Sequence, residues 1–330
     1  MKQHRRLYFV CAFLLVVYNS VYAQQLDSIT GKPGISFRGL SVVNHRLFWV
    51  SGTKGTVGRS TDGGRHIQWL PVKGYENRDF RDIEAFDAVT AVIVAIDSPG
   101  LILRTHDGGA SWQEVYRDNH SGVFMDAFSF RKNSEGICIG DPIDGKFYLV
   151  NTHNGGRTWQ RIDPPLPAPD SGEACFASSG TNIVQLKKGR FAFVTGGRTS
   201  RVWNGGEMLP LALMQGGTST GANSLAVFGK RWIVTGGDFA RDTVAAEHIL
   251  VSHDRGRSWS PPARATDGFR SGITAISKRK WIACGTSGVD VSADGGKTWK
   301  NISRTGYHVV QRAKRAGQFT WPAEMVAWRS

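Results

Sequence analysis

Ser292-Ala293-Asp294-Gly295-Gly296-Lys297-Thr298-Trp299 is one of five related segments in this chain. Each segment has a hydroxyl residue, Asp or Asn two positions later, and Gly two positions after that, and each has a Trp close behind. The other four begin at Ser60, Thr105, Thr152 and Ser252. One such segment would be weak evidence, but five copies in the same register indicate an internal repeat.

The segments match the Asp-box motif, S-x-D-x-G-x-T-W, of BNR-type propellers. The residues at its Asp position are Asp62, Asp107, Asn154, Asp254 and Asp294. We expect each of these side chains to accept hydrogen bonds from backbone N–H groups of its own tight turn, where Gly takes a positive φ. The Trp is expected to pack between neighbouring sheets. This interpretation gives the five side chains a structural role and not a catalytic one.

The spacing of the Asp-boxes indicates the size of the repeat. Successive boxes lie 45, 47, 100 and 40 residues apart. The longest gap corresponds to two repeats, and Asn204-Gly205-Gly206 marks a degenerate turn inside it. Such a period suits the four-stranded blades of a β-propeller.

Seven similar segments open the repeats and predict the number of blades. They begin at Ser36, Asp79, Val123, Gly172, Ala222, Gly268 and Gly306. We therefore predict an all-β fold, a seven-bladed β-propeller with Asp-box repeats, and we keep six blades as the alternative. The last repeat is too short for four strands, so residues 24–35 are expected to supply a strand that closes the last blade and removes an open sheet edge.

The repeat is similar to that of the WD40/YVTN/BNR-like propellers, and it resembles that of bacterial relatives of the photosystem II assembly and stability factor. The similarity lies in Phe-Arg at blade openings, alternating strands that end in Gly, and the Asp-boxes. It implies a non-enzymatic binding protein, although photosystem binding itself does not carry over. Asp-box sialidases carry the motif Phe/Tyr-Arg-Ile-Pro. The corresponding segment here, Phe37-Arg38-Gly39-Leu40, keeps the aromatic residue and the Arg but lacks Ile-Pro, which argues against sialidase activity.

The N-terminus has the features of a secretory signal peptide. Basic residues precede the apolar stretch Leu7 to Val17, and Val21-Tyr22-Ala23 provides a cleavage site, so residues 1–23 are the predicted signal and 24–330 the propeller domain. No later segment is long and apolar enough to span a membrane. Cleavage would lower the net charge from +14 to +11. The prediction is an exported protein, periplasmic or secreted.

Polar residues at strand starts and in second-to-third-strand loops are expected at one mouth of the central channel, the usual ligand site of such folds. The predicted ligand-binding residues are Arg38, Arg81, Asp82, Asp126, Asp141, Asp144, Glu173, Asp238, Arg270, Tyr307 and His308. Asp141 and Asp144 lack the alternating ligands of a calcium loop, so we predict no metal site. We see no cofactor motif and predict no cofactor.

We favour a non-catalytic binding or assembly protein that holds a protein or glycan partner at the channel mouth. One alternative is a glycan-acting hydrolase of sialidase-like architecture, in which Arg38, Arg81 and Arg270 bind a carboxylate and Glu173 or Tyr307 performs chemistry. A second alternative is a redox enzyme on a propeller scaffold.

The turns between first and second strands are rich in Lys and Arg and are expected on the face opposite the mouth. They include Arg46, Lys132, Lys187, Lys188, Arg190, Lys230, Lys278, Lys280 and Arg312. Clustered charge of one sign attracts an anionic surface or partner, although solvated turns also carry such residues. Nucleic acid is disfavoured because no aromatic residues for base stacking alternate with the basic ones.

Overall fold

The computed structural model describes residues 27–29, 31–314 and 325–328, and the side chains of residues 31–314. The predicted signal peptide, residues 1–23, lies outside the described residues. Seven β-sheets make up the fold, and the predicted all-β propeller architecture is confirmed. The first described strand is β1 (Asp27–Ile29).

The first three blades are antiparallel sheets of four consecutive strands. The first blade contains β2 (Phe37–Val42), β3 (Phe48–Gly52), β4 (Thr56–Ser60) and β5 (Gln68–Pro71). The second contains β6 (Phe80–Ala85), β7 (Ala91–Ala95), β8 (Gly100–Thr105) and β9 (Gln113–Asp118). The third contains β10 (Met125–Arg131), β11 (Glu135–Ile143), β12 (Lys146–Thr152) and β13 (Gln160–Ile162). Successive side chains of a strand point to opposite faces of the sheet, and every residue of β3 and β7 is buried, so both faces of the inner strands pack against neighbouring sheets.

The next two blades share a more irregular stretch of chain. Their strands, in chain order, are β14 (Glu173–Ala174), β15 (Ile183–Gln185), β16 (Phe191–Val194), β17 (Gly196–Gly197), β18 (Arg201–Trp203), β19 (Met208–Pro210), β20 (Thr220–Phe228), β21 (Arg231–Asp238) and β22 (Ile249–Ser252). The fourth blade has the order β15-β16-β18-β19, and the fifth has β14-β17-β20-β21-β22. A short 3-10 turn, Lys187–Gly189, joins β15 to β16.

The sixth blade contains β23 (Gly272–Ala275), β24 (Trp281–Gly285), β25 (Gly288–Ser292) and β26 (Lys300–Ser303). A smaller closing sheet follows, formed by β27 (Val309–Arg312), β28 (Met325–Trp328) and β1. Strand β27 contacts both β23 and β2, so the closing sheet lies between the sixth and first blades. The predicted pairing of the N-terminal residues with the C-terminal strand is confirmed, since Asp27 lies opposite Val326.

The prediction of seven four-stranded blades is wrong, and the alternative of six blades describes the structure. Six sheets have four or five strands, whereas the closing sheet has three. The seventh opening segment leads into only two described strands, β27 and β28, and β1 adds one more. Counting the opening segments overestimated the number of blades, because an opening segment can be followed by too few residues to form four strands.

Each interface between neighbouring sheets holds its own hydrophobic cluster. Trp49 and Ile83 lie in the cluster between the first two blades, and Val309 joins Phe37 between the closing sheet and the first blade. Trp281 and Trp299, both at most 2% exposed, fill the cluster between the fifth and sixth blades. Burial of such large rings is the main stabilising contribution between blades.

The Asp-box turns identify one face of the propeller, which we call the hairpin face. In five blades a backbone N–H of the Asp-box turn donates to a carbonyl of the turn between the first two strands of the same blade. These pairs are Gly63 to Arg46, Gly108 to Val89, Gly155 to Ser134, Arg255 to Lys230, and Gly295 to Arg279. Both sets of turns therefore share one face, and the inner strands begin at the opposite face, which carries the channel mouth.

Candidate binding site at the channel mouth

A repeated β-bulge places polar side chains at the start of the inner strands. The register shifts between Phe37 and Gly39, Phe80 and Asp82, Met125 and Ala127, and Ala222 and Ser224. The residues inside these shifts are Arg38, Arg81, Asp126 and Asn223. A bulge inserts one unpaired residue and redirects its side chain. Of these four residues, Arg38 and Arg81 line the cavity at the mouth, whereas Asp126 and Asn223 are fully buried.

A cavity of about 470 Å³ opens at this mouth. Its polar lining includes Arg38, Arg81, Asp141 and His308. An aromatic wall adds Phe124, Phe176, Phe239 and Phe269. Of these rings, Phe239 is 48% exposed and meets Phe176 edge to face, with ring centroids 5.7 Å apart. The volume and the mixed lining are those of a site for a small ligand or part of a larger one.

Arg38 and Arg81 are neighbouring cations with few partners. Burial, followed by the charge of Arg81, lowers the pKa of Arg38 to about 10. Arg38 makes no hydrogen bond or ion pair within residues 31–314, and its Nε is buried without a partner. Arg81 reaches only Asp79 Oδ2 and the Ala177 carbonyl, each at 3.5 Å. Two incompletely neutralised guanidinium groups favour an anion in the cavity.

Two carboxyl groups lie beside this pair. Asp141 lines the cavity, and its Oδ1 accepts a hydrogen bond from the Cys175 backbone N–H at 2.8 Å. Burial raises the pKa of Asp141 to about 6. Asp126 is fully buried, and burial, followed by the charge of Asp141, raises its pKa well above the usual range. Burial therefore favours the neutral form of the Asp126 carboxyl over the ionised form.

His308 completes the polar wall as a neutral group. Burial, followed by the charges of Arg38 and Arg81, lowers the pKa of His308 to about 4. The imidazole is consequently uncharged at pH 7 and offers one donor and one acceptor. The cavity lining at neutral pH thus holds two arginines, a neutral imidazole and one mostly ionised carboxylate.

Three other predicted site residues are engaged inside the blades and do not line the cavity. Arg270 and Asp290 form a buried ion pair. Glu173 is bound by Arg201 and Thr195. Tyr307 packs in the hydrophobic cluster beside the closing sheet. The three-arginine arrangement of the hydrolase alternative does not assemble, because the Arg270 guanidinium is committed to Asp290.

Three predicted acids also lie away from the cavity. Asp82 is buried, and its two carboxylate oxygens accept the backbone N–H groups of Ile83 at 2.8 Å and Phe128 at 2.7 Å. Asp238 pairs with Arg241 at 2.7 Å. Asp144 is exposed in its turn, with an oxygen 3.4 Å from His120 Nε2. Asp82 thus joins the second and third blades, and Asp238 and Asp144 organise loops.

Sequence reasoning missed the aromatic wall. Phe124 and Phe269 stand in the blade-opening segments beside Asp126 and Arg270, but the predicted ligand-binding residues were selected only among polar side chains. Phe239 directly follows Asp238, the last residue of β21, where the chain returns to the mouth. An exposed Phe in a loop of this face is a signal that charge-based selection overlooks.

The Asp-box side chains lie at the hairpin face, where each accepts hydrogen bonds from its own turn and stabilises it. Asp294 accepts hydrogen bonds from the Thr298 backbone N–H at 2.9 Å, the Thr298 hydroxyl at 2.6 Å and the Ser292 hydroxyl at 2.8 Å. Asn154 makes the same backbone contact with Thr158 at 3.0 Å. Hydrogen bonding, first from the Ser111 hydroxyl, lowers the pKa of Asp107.

Two classes of site are missing from the described part of the chain. Residues 31–314 hold no group of three or more His, Cys, Asp or Glu side chains placed to bind a metal ion. Among the described residues the structure also has no helix with the length and apolar character that crossing a bilayer requires.

Comparisons with known proteins support the fold. No protein family and no curated protein sequence matches the chain. Among solved structures, "YCF48 bound to D1 peptide" is 18% identical, covers 84% of this chain and 87% of its own, and has a TM-score of 0.58. YCF48 from Cyanidioschyzon merolae is 15% identical, covers 86% and 92%, and has a TM-score of 0.56. The WD40 domain of Neurospora crassa Pan2 is 10% identical, covers 84% and 83%, and has a TM-score of 0.55. The chain is thus similar in fold to YCF48 and to WD40 propellers.

Proposed function

We propose that this chain is an exported, non-catalytic propeller that binds a segment of a partner protein in the channel-mouth cavity. The observation that carries the proposal is the pair of arginines, Arg38 and Arg81, which line the cavity; among the described residues Arg38 has no ion pair and Arg81 has one, with Asp79 at 3.5 Å. A guanidinium group matches a carboxylate with two parallel hydrogen bonds, so an acidic side chain or a chain terminus is the complementary group.

The rest of the cavity suits an extended polypeptide more than a sugar. Phe176, Phe239 and Phe269 form a continuous aromatic surface beside the arginines, with ring centroids of adjacent pairs 5.7 and 6.3 Å apart. An apolar side chain next to an acidic one would remove this surface from water. Concave pockets with aromatic anchors and a few placed charges are typical recognition sites.

The solved structure that holds a peptide supports this type of partner. YCF48 shares only the fold with this chain, and its solved structure holds the D1 peptide. We extend to the present chain only the notion that a propeller of this shape holds a protein segment. The composition of the cavity then selects the chemistry of that segment, which is acidic and partly apolar.

The two side chains that the hydrolase alternative needs are buried away from the cavity, and this favours the binding role. Glu173 has a fully buried side chain and is engaged by Arg201, and Tyr307 is 6% exposed in a hydrophobic cluster. A general acid or nucleophile must reach the reacting atoms. Neither side chain lines the cavity, so we assign binding and not chemistry to this site.

Export is proposed from the first 23 residues of the sequence. The test is fractionation of cells that make the full chain, followed by N-terminal sequencing of the accumulated protein. We expect a chain that begins at Gln24 outside the cytoplasm. Full-length protein that stays in the cytoplasm would contradict export and leave the binding proposal to its own test.

Binding is tested with a display library of short peptides selected on the folded protein. Selected peptides are measured by calorimetry against wild type, Arg38→Gln, Arg81→Gln and the control Arg241→Gln, whose side chain is 68% exposed and outside the cavity lining. We expect peptides that carry a carboxylate beside an apolar residue, and a loss of about tenfold or more in each cavity variant, as for a charge-assisted contact. Neutral peptides, or equal loss in all three variants, would overturn the proposal.

A further inference from the structure

An arc of exposed basic residues covers three neighbouring blades of the hairpin face. We call it the basic arc, and it comprises Lys187, Lys188, Arg190, Lys230, Arg255, Arg257, Lys278, Arg279, Lys280 and Lys297. The members come from the first-to-second-strand turns of the fourth, fifth and sixth blades and from the Asp-box turns of the fifth and sixth. All ten side chains belong to exposed residues.

Hydrogen bonds between turns make the arc continuous. Asn204, in the turn of the fourth blade that lost its Asp-box, donates from Nδ2 to the Gly256 carbonyl of the fifth blade at 3.4 Å. Arg231 of the fifth blade donates from Nη1 to the Lys278 carbonyl of the sixth at 3.2 Å. The turns that carry the basic residues are therefore held side by side on a rigid scaffold.

The ten basic residues of the arc outnumber the three acids of these and the neighbouring turns, so a large positive excess remains. None of its ten side chains forms an ion pair with a described residue; the acids in the same turns are Glu207, Asp254 and Asp294. Asp254 and Asp294 accept hydrogen bonds from their own turns, so their carboxylates are directed at Ser258 and Thr298. A positive field therefore extends from this surface toward solvent.

An apolar side chain stands in the middle of the arc. Phe228 ends β20 at the tip of the fifth-blade turn, opposite Arg231, and it is 37% exposed. Lys230 lies two residues further along the same tip. An aromatic tip surrounded by cations fits the interfacial region of a membrane, where the ring enters among the acyl chains and the cations meet headgroup phosphates. A simple polyanion offers no such apolar partner for the ring.

We propose that the basic arc docks the propeller on a membrane that contains anionic phospholipid, with Phe228 inserted at the interface. The arc lies where the inner strands end, whereas the cavity with Arg38 and Arg81 lies where they begin. Docking through the hairpin face therefore leaves the channel mouth directed away from the lipid and open to a partner. This inference is independent of the binding proposal, because it uses none of the same residues.

The experiment is cosedimentation of the full chain with vesicles of phosphatidylcholine alone or mixed with phosphatidylglycerol. We expect binding only to the mixed vesicles, and a loss between 0.1 M and 1 M salt, because the Debye length falls from about 10 Å to about 3 Å. Reversal of four arc charges, in Lys187→Glu, Lys188→Glu, Lys278→Glu and Lys280→Glu combined, should weaken binding by about tenfold or more. Phe228→Ser should weaken it several-fold with the charge unchanged.

A matched control reverses four exposed basic residues at the opposite ends of the strands, Lys32, Lys54, Lys73 and Arg304. It has the same net charge as the arc variant and should keep wild-type binding to the mixed vesicles. Equal loss in both variants, or no binding by wild type at 0.1 M salt, overturns the proposal. Heparin is the second ligand tested. If the protein binds heparin and Phe228→Ser keeps the wild-type affinity for vesicles, the partner of the basic arc is a soluble polyanion and not a lipid surface.

Discussion

Arg270 and Asp290 form an ion pair inside the sixth blade, with side chains that are 0% and 1% exposed. The Arg270 Nε donates to Asp290 Oδ2 at 2.6 Å, and Nη1 donates to the Phe269 carbonyl and to the Ser287 hydroxyl. Asp290 thereby neutralises the charge of Arg270 within the same blade. The same pair explains why two arginines and not three remain for a ligand at the channel mouth.

Removing the cation from this pair should destabilise the fold strongly. Arg270→Gln leaves Asp290 buried without its counter-charge, and we expect the free energy of unfolding to fall by about 3–5 kcal/mol. Urea unfolding followed by tryptophan fluorescence measures the change. Arg241→Gln, which removes a 68% exposed arginine from Asp238 and leaves the Ser219 hydroxyl and the Ala240 backbone N–H on that carboxylate, is the control and should cost less than about 1 kcal/mol. Similar losses in the two variants would show that burial of the Arg270 pair does not matter.

The Asp-box carboxylates should contribute to stability through their turns. Asp294→Ala removes the acceptor for the Thr298 backbone N–H and two hydroxyl groups, and we expect a loss of about 1 kcal/mol because the turn remains open to water. Asp294→Asn should cost less, because Asn154 occupies the equivalent position in the third blade and keeps the backbone contact. Urea unfolding of both variants measures the difference. Equal losses would mean that the negative charge itself is required.

Those contacts also show how much of the fold the sequence could predict. The Asp-box requires a hydroxyl, a carboxylate and a glycine within one turn, so its recurrence indicated repeated hairpins without any knowledge of packing. The blade number was wrong because the last opening segment, near Gly306, resembles the others although it leads into a three-stranded sheet. Local patterns report hairpins, whereas completing a blade depends on pairing between distant strands.

The site was predictable only as a set of equivalent positions. Phe37-Arg38, Phe80-Arg81 and Phe269-Arg270 are the same motif in sequence, yet only the first two arginines line the cavity. The bulges in β2 and β6 contain Arg38 and Arg81, whereas Arg270 precedes β23 and meets Asp290 on β25. A partner twenty residues away decides the direction of the side chain, and the motif carries no information about it.

Gly180 should be required because of its contact with Asp82. A Cβ at this position would lie 2.3 Å from Asp82 Oδ1, and the backbone has a φ of +67°. Gly180→Ala would displace a carboxylate that joins two blades, at a cost of about 1–3 kcal/mol beyond the backbone strain. Gly189→Ala is the matched control, since its φ is +68° and its Cβ would meet nothing within 4 Å. Thermal unfolding compares the two, and equal shifts would remove the role assigned to the contact.

The anion affinity of the cavity should depend on pH through Asp141. Its pKa is about 6, because burial disfavours the ionised form. Above pH 6 the carboxylate adds a negative charge to the cavity that Arg38 and Arg81 also line, and below pH 6 that charge is lost. An anionic ligand should therefore bind more tightly as the pH falls from 8 to 5, by about tenfold for one nearby charge at an effective dielectric constant of about 20.

The other titratable groups of the site should not disturb this measurement. His308, with a pKa of about 4, stays largely neutral over the whole range, and burial raises the pKa of Asp126 well above its usual range, which favours the uncharged form of that carboxyl. Benzenesulfonate is a suitable probe, since its own charge does not change between pH 5 and 8 and its ring matches the aromatic wall. Calorimetric titration of wild type should show the rise through pH 6, and Asp141→Asn should bind tightly at every pH. A flat wild-type profile, or the same slope in Asp141→Asn, would show that Asp141 does not control the charge of the cavity.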